Sequence, residues 1–110
     1  MEFKPDLMKG HMAPLVLKLL GEREMYGYEI VQVVNKRTGG RFDWKEGSLY
    51  PCLHRLEAEG KVKSTWRDAP SGKARKYYRI TSRGRAELAR HICEWGEFSR
   101  AVDSVLLGPA

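Results

Sequence analysis

The chain has 110 residues, enough for one domain with one core, and its 42% hydrophobic and 31% charged content is that of a globular protein. No apolar run approaches the ~18 residues of a membrane span, the opening residues do not read as a secretory leader, and Cys52 and Cys93 lack metal-ligand spacing. The expected setting is therefore cytoplasmic, with no metal, no cofactor and both thiols reduced and buried. The formal net charge is +6, but residues 61–90 hold ten bases (Lys61, Lys63, Arg67, Lys73, Arg75, Lys76, Arg79, Arg83, Arg85, Arg90) against two acids, Asp68 and Glu87, a local excess of +8. Such a block suits a polyanion, though a merely solvated face would carry it equally well.

In chain order, Leu15, Val16, Leu19 and Leu20 fall at helical spacing and predict a first helix from about His11 to Leu20, with Pro14 in its first turn and an irregular turn ahead of it. GEREM connects it to a second helix, Tyr26 to Thr38, with Ile30, Val33 and Val34 inside and Gly39-Gly40 as the stop. RFDWKE (41–46) bridges to a third helix, with a short extended strand as one option. Pro51 placed in the first turn puts that helix at Ser48 to Glu59, capped by Gly47 or Ser48. Leu49, Leu53 and Leu56 repeat at i, i+4, i+7 as its buried face. The period then changes to two. KVKSTWRD and ARKYYRIT, separated by Ala-Pro-Ser-Gly, read as a hairpin, in which one of Tyr77 and Tyr78 must face the core. Thr81 or Ser82 caps a last helix that runs to about Leu107.

Three helices, a hairpin and a long helix give a mainly α fold with a small β-hairpin, the layout of a winged helix-turn-helix. In that layout the third helix enters the major groove and the hairpin follows the phosphates. Lys73, Arg75 and Lys76 make the hairpin tip cationic, and Ser48, Tyr50, His54 and Arg55 occupy the polar side of the third helix. Residues 1–81 are expected to form the DNA-binding part and residues 82–110 a dimerisation helix, together one compact unit.

At this point the strings YGYEI (26–30), SLYPCLHRLEAEGKV (48–62) and ARKYYRITSRGRAEL (74–88), with LMKGHMAPLVLKLL (7–20) as leader, closely resemble the PadR family of bacterial transcriptional regulators. The resemblance spans about residues 7–107. It implies a winged-helix repressor that binds palindromic promoter DNA as a homodimer. Ser48, Tyr50 and Pro51 carry over as recognition-helix residues, and Lys73, Arg75 and Lys76 as wing residues. His54 and Arg55 stand where the family varies and are candidates for sequence choice. Each has a blander alternative: Tyr50 as packing, Pro51 as a helix starter rather than a ring against a thymine methyl. His11, His54 and His91 read as scattered.

In the last helix Leu88, Ile92, Trp95, Ser99, Val102 and Leu106 advance by alternating fours and threes, a heptad seam widened by Ala89, Phe98 and Val105. A small domain cannot cover that face alone, so a second copy related by two-fold symmetry is the expected partner, through Leu88, Ile92, Trp95, Val102 and Leu106. Trp95 reads either as dimer core or as part of an effector pocket. Some short relatives line an inter-subunit cavity for flat aromatic compounds with a tryptophan of this helix. That carry-over implies a small aromatic effector beside Trp95, with Leu17, His91 and Phe98 as walls. The chain departs from longer family members, which add a larger C-terminal helical domain. The competing reading is a winged-helix adaptor that binds protein rather than DNA. No nucleophile–base set, phosphate-cradling glycine loop or carboxylate pair points to an enzyme.

Overall fold

A computed structural model describes residues 3, 8 and 10–109. Seven elements follow in order: α1 (Met12–Glu22), β1 (Met25–Tyr26), α2 (Gly27–Arg37), α3 (Glu46–Ala58), β2 (Val62–Asp68), β3 (Ala74–Ile80) and α4 (Ser82–Leu106). Gly10, at φ +84°, forms the turn ahead of α1. Leu7 and Lys9, which the expected irregular turn also includes, lie outside the described residues.

The helices bury the faces that their periodicity marks. Val16, Leu17, Leu19 and Leu20 of α1, Ile30, Val31 and Val34 of α2, and Leu49, Cys52, Leu53 and Leu56 of α3 converge with Met25, Trp44, Val62 and Tyr78 into one core. Each aliphatic side chain fully withdrawn from water contributes roughly 1.5–3 kcal/mol. Val33 is only half-buried, and Val31 takes the inner place.

The hairpin is part of a three-stranded antiparallel sheet of order β1-β3-β2. Its extra strand, Met25–Tyr26, pairs with Tyr78 and Tyr77. In the β2–β3 ladder Val62 faces Ile80, Ser64 faces Tyr78 and Trp66 faces Lys76. Tyr78 is the core tyrosine, 1% exposed, and Tyr77 looks to the other face beside Tyr26.

Residues 41–45 contain no strand. Asp43 adopts φ +46°, which no strand sustains, and the Asn35 side chain holds both backbone polar groups of Trp44. Asn35 Oδ1 accepts from Trp44 N (2.7 Å), and Asn35 Nδ2 donates to Trp44 O (3.0 Å). This clamp drives the Trp44 ring into the core.

Helix α3 starts earlier than Pro51 suggests. Lys45 is its N-cap, so Pro51 is the sixth helical residue rather than a first-turn one. Its missing N–H leaves the Gly47 carbonyl without its usual intrahelical donor, which costs little because Gly47 is exposed to solvent.

The root of α4 is clamped. Thr81 Oγ1 accepts from Gly84 N (3.1 Å) and donates to Gly60 O (2.7 Å). Gly84, within that root, is the helix's single buried residue. At 25 residues the helix is about 37 Å long. It extends the chain to 61 × 32 × 21 Å and leaves Cys93, expected to be buried, exposed on its side.

Candidate nucleic-acid interface

Ser48, Tyr50, Pro51, His54 and Arg55 all lie on the exposed side of α3, opposite Leu49, Leu53 and Leu56. Tyr50 packs against the domain and is still partly open to solvent. It is 37% exposed, yet its ring rests on the start of α2, where a Cβ built on Gly27 would meet Tyr50 Oη at 2.8 Å. Burial, then the nearby Glu46 carboxylate, pushes its phenol above the ordinary value, so it stays a neutral hydroxyl. The start of α2 is itself fixed by the Glu29 carboxylate, which accepts from Tyr26 N (3.2 Å).

The wing faces this surface across a cleft of about 420 Å³. Tyr50 and His54 of α3 form one wall, Trp66, Ala74 and Lys76 the other, and Tyr26 and Gly27 close the end. Tyr50, His54 and Glu57 follow one another at i, i+4, i+7, so a single stripe of α3 looks at the wing. Glu57 joins α3 to the wing. Its carboxylate accepts from the Ser64 hydroxyl and pairs with Lys76 Nζ at 3.3 Å. The Ser64 hydroxyl first, and the Lys76 ammonium next, hold the Glu57 carboxyl below the usual carboxylate range.

The ten bases of residues 61–90 are not equivalent. Lys61 pairs with Glu59 (3.2 Å) and Glu87 (3.8 Å), Arg67 with Glu24, Lys76 with Glu57, and Arg90 with Glu87 and Glu94. Among the described residues Lys63, Lys73, Arg75, Arg79, Arg83 and Arg85 make no ion pair. Lys73 is exposed at the hairpin tip beside Gly72, whose φ of +86° the turn requires. Arg75 lies over the Tyr26 ring at 4.5 Å, a cation–π contact that aligns it along β1. Lys76, expected to serve the wing with the other two, is engaged by an acid. Glu57, Trp66 and the Tyr26–Gly27 step were not singled out from the sequence, because only tertiary packing brings them to this cleft.

On the other side of the molecule α1 and α4 frame a larger, apolar cavity of about 640 Å³. His91, Trp95 and Phe98 line it, but Leu17, expected beside them as a wall, does not: it is 1% exposed in the core. The reason is helical phase. His11, Pro14, Leu15 and Lys18 make the stripe of α1 that faces α4, and Leu17 lies two residues, about 200°, away from Leu15. His11 and His91, scattered in sequence, meet here with ring centroids 5.9 Å apart, and His11 stands edge-on to Trp95 at 5.0 Å. Among the described residues no group of three His, Cys, Asp or Glu side chains could hold a metal ion.

Along α4 the expected seam residues differ in exposure. Leu88 packs partly on the core and Val102 is half-buried, whereas Ile92 (57%), Trp95 (49%) and Leu106 (73%) are open. None of the described helices is long and apolar enough to cross a membrane.

Comparison with known proteins agrees with this architecture. The sequence model of the transcriptional regulator PadR-like family matches residues 16–90. A transcriptional regulator of Mycobacterium tuberculosis is 38% identical over 87 residues, covering 79% of this chain and 78% of that protein. A transcriptional regulator from Clostridium thermocellum superimposes with TM-score 0.85 at 30% identity, covering 94% of this chain and 97% of the other. A PadR-like transcriptional regulator from Bacillus cereus does so with TM-score 0.82 at 33% identity, covering 94% and 99%. The winged-helix fold, the matched span and these relatives together place the chain in the PadR-like family of transcriptional regulators.

Proposed function

We propose that this DNA-binding regulator is a repressor, acting as a homodimer on a palindromic promoter site and released by a flat aromatic ligand. The observation that carries the DNA-binding mode is the cleft between α3 and the wing, with exposed polar residues on one wall and cations on the other. Ser48, Tyr50, Pro51, His54 and Arg55 would meet base edges in the major groove, while Lys73 and Arg75 follow the phosphates and Lys76, paired with Glu57, braces the wing against α3. Binding measured against salt on the DNA upstream of its own gene tests this. Replacing Lys73 and Arg75 with Ala should weaken all duplexes alike and flatten the salt dependence by about one to two units of slope. An unchanged slope would remove the wing from DNA, and no salt-dependent binding at all would favour the adaptor reading.

The dimer reading rests on the apolar residues that α4 leaves open, Ile92, Trp95, Phe98, Val105 and Leu106, since exposed apolar surface of this kind marks an interaction site. Two-fold pairing through Leu88, Ile92, Trp95, Val102 and Leu106 would set two recognition helices about 34 Å apart, one turn of DNA. The effector reading rests on the apolar cavity at Trp95, His91 and Phe98. Flat aromatic cations should quench the tryptophan emission of the parent, and Trp95→Ala should remain dimeric while losing that binding. A Trp95→Ala dimer that falls apart, with no ligand bound by the parent, would assign Trp95 to the dimer core.

A further inference from the structure

The three tryptophans divide sharply: Trp44 is 3% exposed in the core, Trp95 is 49% exposed on the dimer-forming helix, and Trp66 is 67% exposed on the wing. Trp66 stands on the same strand face as Val62 and Ser64. Along that face exposure rises from Val62, buried, through Ser64, half-buried, to Trp66, as β2 leaves the core. Glu57 ties Ser64 to Lys76, itself a residue of the cleft lining, and Trp66 is the next residue outward on the same face as Ser64, paired across the ladder with Lys76. Its ring lines the cleft with Tyr50 and His54. An indole left bare is apolar surface in need of a partner, and the cations around this one narrow the partner's chemistry to something anionic with an apolar face.

We infer that Trp66 is a DNA-contacting residue of the wing, its ring packed against the deoxyribose of one strand while the free cations Lys73 and Arg75 take the neighbouring phosphates. The sugar–phosphate edge of a duplex offers that combination, an apolar sugar between two charges. On a base edge the apolar feature open to such a ring is the thymine methyl, so a base contact would be confined to particular sequences. The inference rests on the DNA-binding reading above and adds to it a contact that carries no charge.

The absence of charge makes the test specific. Trp66→Ala and Trp66→Phe are compared with Lys73→Ala on two random-sequence duplexes of a few helical turns, across a salt series. Trp66→Ala should lower affinity about tenfold on both duplexes, the size of a lost aromatic contact, without changing the salt slope. Lys73→Ala should flatten the slope, and Trp66→Phe should recover most of the loss. Independently, the emission present in the wild type and missing from Trp66→Phe should become shielded from acrylamide when duplex is added. Full acrylamide access to Trp66 in a protein that does bind duplex overturns the inference and leaves the DNA-binding reading standing. Weakening confined to one duplex overturns it as well, because it would mean a base contact. A wild type that binds neither duplex at any salt overturns both.

Discussion

The first three helices with the sheet, and the long helix α4, are built on opposite economies of burial. In the former, Val16, Ile30, Leu49 and Leu53 are fully enclosed, and every helix contributes a filled stripe. In the latter only Gly84 is enclosed, while Ile92, Trp95, Phe98 and Val105 stand 57%, 49%, 63% and 80% exposed. The radius of gyration, 15.9 Å, exceeds the roughly 13 Å of a compact domain of this size because of that helix. One region is enclosed within a single chain. The other has its root fixed by its own chain and its shaft left open to solvent.

The root is where the contrast breaks most easily. A Cβ on Gly84 would lie 2.2 Å from the Lys61 carbonyl oxygen and 2.8 Å from Ile80 Cγ1. The first of these is backbone and cannot swing aside. Gly84→Ala should therefore cost about 3 kcal/mol or more of unfolding free energy, read by urea denaturation. A loss below about 0.5 kcal/mol, the ordinary surface value, would mean that the root of α4 is not clamped.

On the shaft the corresponding change should spare the monomer and strike the assembly. Ile92→Asp or Val102→Asp would place an unpaired carboxylate in the seam twice per dimer, a cost of several kcal/mol to association. The variant should sediment as a monomer, melt at a temperature independent of concentration and lose tight DNA binding. A parent that sediments as a monomer at micromolar concentration would show that the shaft has no self-partner.

The same contrast explains what the sequence reveals. Periodicity reports burial within one element, so Leu49, Leu53 and Leu56 could be placed inside, and the alternation at Tyr77–Tyr78 could be read as one in, one out. Phase errors appear where a neighbour is unknown. Leu17 is apolar on either reading, and only the packing of α1 against α4 assigns the cavity to Leu15 and Lys18 instead. Strand β1 has two residues, too few to carry a period. Pro51 pulled the expected start of α3 toward Ser48, because an exposed Gly47 that tolerates an interior proline leaves no mark in composition. The meeting of His11 with His91 and of Glu57 with Lys76 joins residues far apart in the chain. Net charge located the cationic region correctly but not which of its members were already paired.

Within the first region, the polar side of α3 should separate base reading from anchoring. His54 and Arg55 are exposed on its second half and are not held by any ion pair among the described residues. Arg55→Ala or His54→Ala should cost about 1–2 kcal/mol at one or two operator positions and relax base preference there, measured on a panel of single-base operator variants. Equal weakening across the panel would reassign them to phosphates.

The smallest expected effect concerns the tie between the recognition helix and the wing, and it carries a sign. With the Glu57 carboxyl held below its ordinary range by Ser64 and then Lys76, its contribution to stability is fully present above the unfolded carboxylate pKa of about 4.3. That contribution is lost as pH falls through the lower folded value. Glu57→Gln should therefore be less stable than the parent at pH 7, and the two should converge once the pH has fallen below that lowered folded value. The side chains of Lys76 and Glu57 are 29% and 34% exposed, so solvent screening keeps the difference below about 1 kcal/mol. Its consequence for DNA runs the other way. Releasing Lys76 from its carboxylate adds an unpaired cation to the cleft wall, so Glu57→Gln should bind duplexes more tightly at low salt, with a salt slope steeper by up to about one. Lys76→Ala, by the same reasoning, should change the slope less than Lys73→Ala, because the ammonium it removes is already neutralised. Equal slopes for the two lysine variants would mean that phosphate draws Lys76 away from Glu57, and that the tie holds the wing only until DNA arrives.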